Sequence, residues 1–211
     1  MNQSAKKIPT RTLTILGILT AIELIVCFTP LGSLPIGPIV ATLSHVPVII
    51  TAVVLGPGAG AYMGAVFGVC SFLVHTMTPT VTSFIFTPFY SVGEVSGNAW
   101  SLVICFVPRI LLGVVAGYIF RAIAKFDKHK YFAYIIAAVA ASLVHTVLVL
   151  GGLYLFFGKT YAEVIGQAYE ALLGLIFTVV LTNGIPEAII AAVLAVAVGK
   201  ALEQFSRRRQ S

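Results

Sequence analysis

The stretch "WSLVICFVPRILLGVVAGYIF", residues 100–120, decides the fold because only one of its side chains carries a formal charge. A helix needs ~20 mostly apolar residues to cross the hydrocarbon core of a bilayer, and this run has that length and composition. Its single charge is Arg109, which follows a proline near the middle of the run. The stretch therefore predicts a membrane-spanning helix with a cation inside it.

The rest of the chain has the same apolar character. Hydrophobic residues make up 59% and charged residues 9% of the 211 residues, with a mean hydropathy of +1.03, whereas soluble domains carry ~25% charged residues. Regular helical windows do not fit a transmembrane barrel, whose strands alternate apolar and polar residues. We expect a single all-α integral membrane domain over residues 1–211 with six transmembrane helices, at 12–29, 38–55, 61–77, 100–123, 131–157 and 171–199.

The distribution of basic residues predicts the orientation of these helices. With six spans, eleven of the 13 basic residues fall on one side of the membrane, and basic residues favour the cytoplasmic side. Both termini are therefore expected in the cytoplasm. Only Lys159 falls on the other side, and Arg109 lies within the membrane. Because topology and contact with anionic lipid account for the net charge of +6, no nucleic acid partner is expected.

The segment "MTPTVTSFIFTPFYSVGEVSGN", residues 77–98, is too polar and too broken to span the membrane. It nevertheless carries four aromatic residues, Phe84, Phe86, Phe89 and Tyr90. Irregular backbone near membrane depth is tolerated where it is buried in protein or lines a cavity. We expect a lid over a pocket that opens outward; the alternative is an ordinary loop resting on the bilayer surface.

Several polar side chains fall at one level inside the predicted bundle. At ~1.5 Å per residue, Arg109 lies about 13 Å below the outer end of its helix. His145 and Glu187 lie at a similar depth, and Asn183 is one turn above Glu187 on the same helix face. A second group lies higher, near the lid: Tyr90, Glu94, Asn98 and Trp100. Together these eight residues have the chemistry of a small-molecule binding site.

An ion pair is the alternative explanation for the buried cation. Arg109 with Glu187 or with Glu23 could join two helices, because a charge at membrane depth faces protein or a water-filled cavity.

Catalysis and metal binding find no support in the sequence. The stretch "GGLYLFFGKT", residues 151–160, imitates a phosphate-binding loop, but five residues rather than four separate Gly152 from Gly158. No two histidines are three or four residues apart, the spacing at which a helix could present both to one metal ion. The sequence also offers no nucleophile paired with a base, as a protease would need. We expect neither enzymatic activity nor a cofactor in this chain.

The pattern resembles the substrate-binding S components of energy-coupling factor (ECF) vitamin transporters, and within them the pantothenate-type members. The resemblance is carried by the six spans and by three stretches: "LPIGPIVATLSHVPVIITAVVLGPGAGAYMGAVFGVCSF", "FTPFYSVGEVSGN" and "VPRILLGVVAGYIF". It implies a subunit of the prokaryotic cell membrane with a vitamin pocket near the outer face, closed by loops.

The resemblance also implies partners. An S component docks on a membrane T subunit that carries two ATPase subunits, so ATP would be used by the partners and not by this chain. The family's docking motif, two small residues four apart on the first helix, corresponds here to Gly17 and Ala21; the first of them is typically alanine.

The resemblance implies that the buried polar residues bind the vitamin. Pantothenate is an anion with an amide and hydroxyls, so Arg109 would pair its carboxylate while Asn98, Asn183 and Glu187 meet its polar groups. Folate, another anion, could use the same cation. Two other classes stay open: a free-standing facilitator or secondary transporter, and a small membrane enzyme using His145 and Glu187.

Overall fold

The computed structural model describes residues 9–36 and 39–208, and almost all of the long elements are helices. Five helical segments are long and apolar enough to cross a membrane, which confirms a multi-pass helical membrane protein. The helices are α1 (Thr10–Phe28), α2 (Val46–Leu55), α3 (Pro57–Met77), α4 (Ala99–Ile123), α5 (Tyr131–Val164), α6 (Leu172–Val179) and α7 (Ile185–Arg208). Lys6, Lys7 and Arg209, which were used for the predicted orientation, lie outside the described residues.

The second predicted span, 38–55, is only partly helical, and its first residue lies outside the described part. Residues Ile39–Thr42 form strand β2, which pairs antiparallel with β1 (Ser33–Ile36). Helix α2 then has only ten residues, of which Val46–Val53 are all buried. An apolar helix that is buried on every side needs no lipid-facing length. This correction explains why the structure contains five long candidate spans and one short helix.

Two small hairpins mark one end of the bundle. The first is β1–β2, and the second pairs β3 (Ser91–Val92) with β4 (Val95–Ser96) in the connection between α3 and α4. We call this the hairpin end. The opposite end carries the α4–α5 connection and the C-terminal part of α7, where Lys130 and Lys200 form ion pairs with Glu203 at 2.9 and 3.2 Å.

Helices α3 and α4 approach each other closely through glycine. A Cβ atom on Gly60 would lie 2.6 Å from the carbonyl oxygen of Gly113, and one on Gly64 would overlap the carbonyl of Arg109. Gly68 faces the ring of Phe106 in the same way, with 2.7 Å to its nearest atom. Gly60, Gly64 and Gly68, spaced four residues apart, therefore form a packing face within the monomer. This contact also fixes the backbone of the buried arginine.

The sixth span is divided by a π-turn. Helix α6 leads into five residues of π-helix, Val180–Gly184, and α7 begins at Ile185. Pro186 lies at the start of α7 and has no N–H, and its ring would clash with the carbonyl four residues earlier in a regular α-helix. The wider π-turn is a local solution to that clash. The predicted window 171–199 is therefore correct as a span but not as a single α-helix.

The close packing of α3 on α4 can be tested by adding one methyl group. Gly64→Ala should destabilise the protein by about 1–3 kcal/mol, because an extra methyl in a filled contact forces the backbones apart. Gly151→Ala is the matched control, since no atom lies within 4 Å of a Cβ built there. The melting temperature of the detergent-purified protein measures both; equal values for the two variants would contradict the packing.

Candidate functional site

A cavity of about 240 Å³ lies among the helices and collects half of the predicted site residues. Arg109, His145, Asn183 and Glu187 all line it. The wall is completed by residues from β2, the start of α2, α3, α5 and the α6–α7 region: Thr42, His45, Phe67, Thr146, Val149, Leu150, Val179 and Gly184. Polar groups converge here from parts of the chain that are far apart in sequence.

Arg109 is held in place by its own helix. Pro108 has no N–H, so the carbonyl of Ile104, four residues earlier, receives no helical hydrogen bond from it. One guanidinium nitrogen of Arg109, Nη1, donates to that carbonyl at 2.7 Å. The other, Nη2, donates to Ser71 Oγ on α3 at 3.3 Å. Pro108 therefore leaves the carbonyl of Ile104 without its helical donor, and the next residue, Arg109, supplies a donor in its place.

The guanidinium is buried between aromatic rings. Only 5% of Arg109 is exposed, and its central carbon lies 5.4 Å from the ring centroid of Phe67 and 5.0 Å from that of Phe86. Among residues 9–36 and 39–208, no ion pair joins Arg109 to Glu187 or to Glu23. Instead, Glu23 is fully buried in α1 and accepts a hydrogen bond from the thiol of Cys27. The structure thus gives Arg109 no carboxylate partner in the described part of the chain.

Two histidines lie side by side next to this cation. The rings of His45 and His145 stack with centroids 6.5 Å apart and an interplanar angle of 11°. Phe67, which contacts Arg109, also contacts His145, with centroids 6.2 Å apart. His45 comes directly before α2, and only 4% of it is exposed.

Glu187 accepts two hydrogen bonds from the first hairpin. Its Oε1 accepts a hydrogen bond from the backbone N–H of Thr42 at 2.8 Å and a second from the hydroxyl of the same residue. Asn183 lies inside the π-turn and Glu187 follows in the first turn of α7. The two polar side chains that this span contributes to the cavity therefore flank Pro186, one in the π-turn and one in the first turn of α7.

These contacts order the polar groups along the cavity wall. Arg109 touches Phe67, Phe67 touches His145, and His145 stacks on His45. Thr42, three residues before His45 in the chain, holds Glu187. In this series of contacts the cation comes first and the carboxylate last, and the two imidazoles come between them.

Three residues that line this cavity each have one buried polar atom without a hydrogen-bond partner within the described protein. In the described chain, the fully buried side-chain atoms without one are Glu23 Oε2, His45 Nε2, Arg109 Nε, Ser142 Oγ and His145 Nε2. His45, Arg109 and His145 all line the cavity. Leaving a buried polar atom unsatisfied costs about 1–3 kcal/mol. A polar ligand in the cavity would remove that penalty at several points at once.

The four other predicted site residues belong to the second hairpin region, and they are not among the residues that line the cavity. Asn98 caps α4, accepting from the N–H of Trp100 at 2.8 Å. Trp100 stacks on Phe156 with centroids 4.1 Å apart. Glu94 is exposed in the β3–β4 turn, and Tyr90 packs on an apolar cluster. In the structure Tyr90, Asn98 and Trp100 contact the protein itself, and their part in ligand binding stays a prediction.

The connection between α3 and α4 is fixed firmly to the bundle. Phe84 and Ile85 are 0% and 1% exposed and pack with residues of α4, α5 and α6. The ring of Phe86, the next residue, lies against the guanidinium of Arg109. It also stacks on the ring of His75, with the two ring centroids 4.6 Å apart. This segment is therefore built into the bundle near the cavity, and it does not rest loosely on a bilayer.

Sequence reasoning missed Thr42, His45 and Phe67 as residues that line the cavity, and Phe86 as a neighbour of the buried cation. Counting along the predicted span 38–55 places His45 nearer the outside than Arg109, where a single histidine is no sign of a site. A signal was present: two polar residues, Ser44 and His45, precede a proline and a uniformly apolar run. Such a boundary is typical of a helix start rather than the interior of a span.

Comparisons with known proteins agree with this architecture. A sequence model of the family described as "ECF transporter, substrate-specific component" matches residues 11–199. The pantothenic acid transporter PanT of Lactococcus lactis subsp. cremoris (strain MG1363) is 40% identical over 166 residues, which cover 78% of this chain and 79% of the relative. The pantothenate transporter PanT of Leuconostoc mesenteroides subsp. mesenteroides is 28% identical over 211 residues, covering 94% of this chain and 95% of the relative.

The family match extends over nearly the whole chain and includes every helix that lines the cavity. The chain belongs to the family of substrate-specific components of ECF transporters.

Proposed function

We propose that this protein binds pantothenate in the cavity between Arg109 and Glu187 as the vitamin-binding subunit of an ECF-type importer. The observation that carries the proposal is a buried guanidinium without a carboxylate partner, facing a cavity in which two further polar atoms are unsatisfied. The carboxylate of the vitamin would pair with Arg109. Its amide would meet the ring nitrogens of His45 and His145, and its hydroxyls would meet Asn183 and Glu187.

The size of the cavity favours a small vitamin. Pockets for drug-sized ligands measure ~300–1,000 Å³, and this one measures about 240 Å³. Pantothenate is a short flexible chain, whereas folate carries a fused ring system, an aromatic ring and a glutamate. The cavity therefore supports pantothenate over folate, in agreement with the names of the two relatives, which are both pantothenate transporters.

Energy for uptake would come from partner subunits. Family membership supports docking on a T subunit with two ATPase subunits, which would use ATP that this chain has no motif to bind. We place the protein in the prokaryotic cell membrane with both termini in the cytoplasm. The hairpin end, where the cavity lies, would then face outward, and the end with Lys130 and Lys200 would face the cytoplasm, as the positive-inside tendency favours.

The docking face is proposed on α1. Gly17 and Ala21 are one turn apart and exposed, and nothing lies within 4 Å of a Cβ built on Gly17. Leu19 and Glu23 are the buried residues of this helix. Small residues on an uncovered face allow a second helix to approach closely. The same two positions match the docking motif that the resemblance implied.

Removal of the cation should abolish tight binding. Arg109→Ala should weaken pantothenate binding by at least about 30-fold, because loss of one partner of a buried charge pair costs about 2–5 kcal/mol. Arg109→Lys should rescue only part of the affinity, since lysine keeps the charge and loses the planar fork. Isothermal titration calorimetry of the purified protein gives the affinities, and melting curves without ligand give the accompanying loss of stability. An Arg109→Met/Glu187→Met double variant that still binds normally would contradict the assignment.

The contribution of His145 to the affinity for pantothenate should be smaller than that of Arg109. His145→Phe keeps a ring against His45 and Phe67 but removes the nitrogen that has no partner in the protein. One neutral hydrogen bond contributes about 0.5–1.5 kcal/mol, so affinity should fall roughly three- to tenfold, with little change in the melting temperature of the ligand-free protein. An unchanged affinity in the same calorimetric assay would remove His145 from the site.

Bulk on the docking face should separate binding from uptake. Gly17→Leu or Ala21→Leu should leave the affinity for pantothenate unchanged and reduce uptake into cells at least about tenfold, because the added side chain keeps two helices apart. Gly151→Leu on α5 is the matched control. Uptake of radiolabelled pantothenate and copurification with a T subunit are the measurements. Normal copurification of both α1 variants would refute the docking face.

A further inference from the structure

Two charged side chains of opposite sign line the cavity. They are Arg109 and Glu187, and no ion pair joins them in the described chain. The stacked imidazoles of His45 and His145 line the same cavity. A ligand that fills the cavity therefore meets a cation and a carboxylate at separate points of its wall.

The carboxylate of Glu187 is held by the first hairpin. Both hydrogen bonds that the structure gives to Glu187 come from donors on Thr42, its backbone N–H and its hydroxyl, and both end on Oε1. The other polar group that the same span places in the cavity is Asn183, which is neutral. Among the described residues that line the cavity, Arg109 is the one lysine or arginine, so a second anionic group of a ligand meets no further side chain of that kind.

We infer that Glu187 determines specificity by excluding ligands that carry a negative charge at the end away from the Arg109 carboxylate site. The inference rests on the proposed function, and it adds a rule to it. The site accepts a monoanion whose far end carries hydroxyl donors, and it rejects the same molecule once that end carries a phosphate. For pantothenate, this means that the free vitamin binds and the form phosphorylated on its primary hydroxyl does not.

The physical reason is an asymmetry between donors and acceptors. A hydroxyl can donate to the carboxylate of Glu187, so the free vitamin gains a charge-assisted hydrogen bond. A phosphate ester offers mainly acceptor oxygens and ~1.5–2 negative charges. Juxtaposed like charges at a binding surface cost several kcal/mol, which corresponds to a discrimination of ~100-fold or more.

The test compares three ligands on the full chain. Radiolabelled pantothenate bound to the protein in nanodiscs is displaced by unlabelled pantothenate, by 4′-phosphopantothenate, or by pantothenate acetylated on the same hydroxyl. The wild type should bind the phosphorylated compound ~100-fold more weakly than pantothenate. The acetylated compound has a neutral substituent, so its affinity should be clearly higher than that of the phosphorylated one.

The variant Glu187→Gln then removes the charge and keeps an oxygen that can accept from Thr42. The ratio between the affinities for phosphorylated and free vitamin should rise at least about tenfold, even if the affinity for pantothenate itself falls. Glu163→Gln is the matched control, because Glu163 is exposed near the end of α5; the ratio should not change there.

Each outcome has a definite reading. Equal rejection of the acetylated and phosphorylated compounds by the wild type would show that space or the lost hydroxyl donor, and not charge, excludes them, which overturns the inference even if Glu187→Gln does not fold. An unchanged ratio in a folded Glu187→Gln protein would overturn it as well. In both cases pantothenate still binds to the wild type, so the proposed function survives. Failure of the wild type to bind pantothenate would instead refute the proposed function, and this inference with it.

Discussion

A guanidinium inside a bundle of membrane helices needs hydrogen-bond acceptors for its N–H groups. The geometry of the cavity depends on which parts of the chain supply these acceptors. The main acceptor for Arg109 is the carbonyl of Ile104, which Pro108 leaves free, and the second is the hydroxyl of Ser71 on the neighbouring helix. Neither acceptor carries a charge. The positive charge is therefore held in position without being neutralised, which is the condition for a site that recognises an anion.

Proline has a similar role in two different spans. In α4 it frees a carbonyl that fixes the arginine, and in the sixth span it coincides with the π-turn that carries Asn183 beside Glu187. In both places a residue that interrupts the regular helical hydrogen bonds stands next to a polar side chain of the cavity. Close glycine packing between α3 and α4 then sets the depth of the arginine. Local irregularity and tight packing together fix the geometry of the site.

The sequence was informative about long apolar segments and about charge at membrane depth. The residues Arg109, His145, Asn183 and Glu187 could be grouped because counting along a helix gives depth directly. The same counting gave no reason to add Thr42 and His45, since an apolar run of strand followed by helix has the composition of one span. It is also silent about the cap that Asn98 forms and the ring stack that Trp100 forms, because both depend on neighbours that spacing along one helix does not reveal.

The short helix α2 has a consequence for the surrounding membrane. Ten residues of helix measure ~15 Å, about half of a hydrocarbon core of ~30 Å. Because Val46–Val53 are all buried, this shortfall is enclosed by the longer helices around α2. The bilayer therefore needs no local thinning there, which a lipid-facing helix of the same length would impose. Before the start of α2 the chain forms the first hairpin instead of further helix, and Thr42 of that hairpin contacts Glu187 at the cavity.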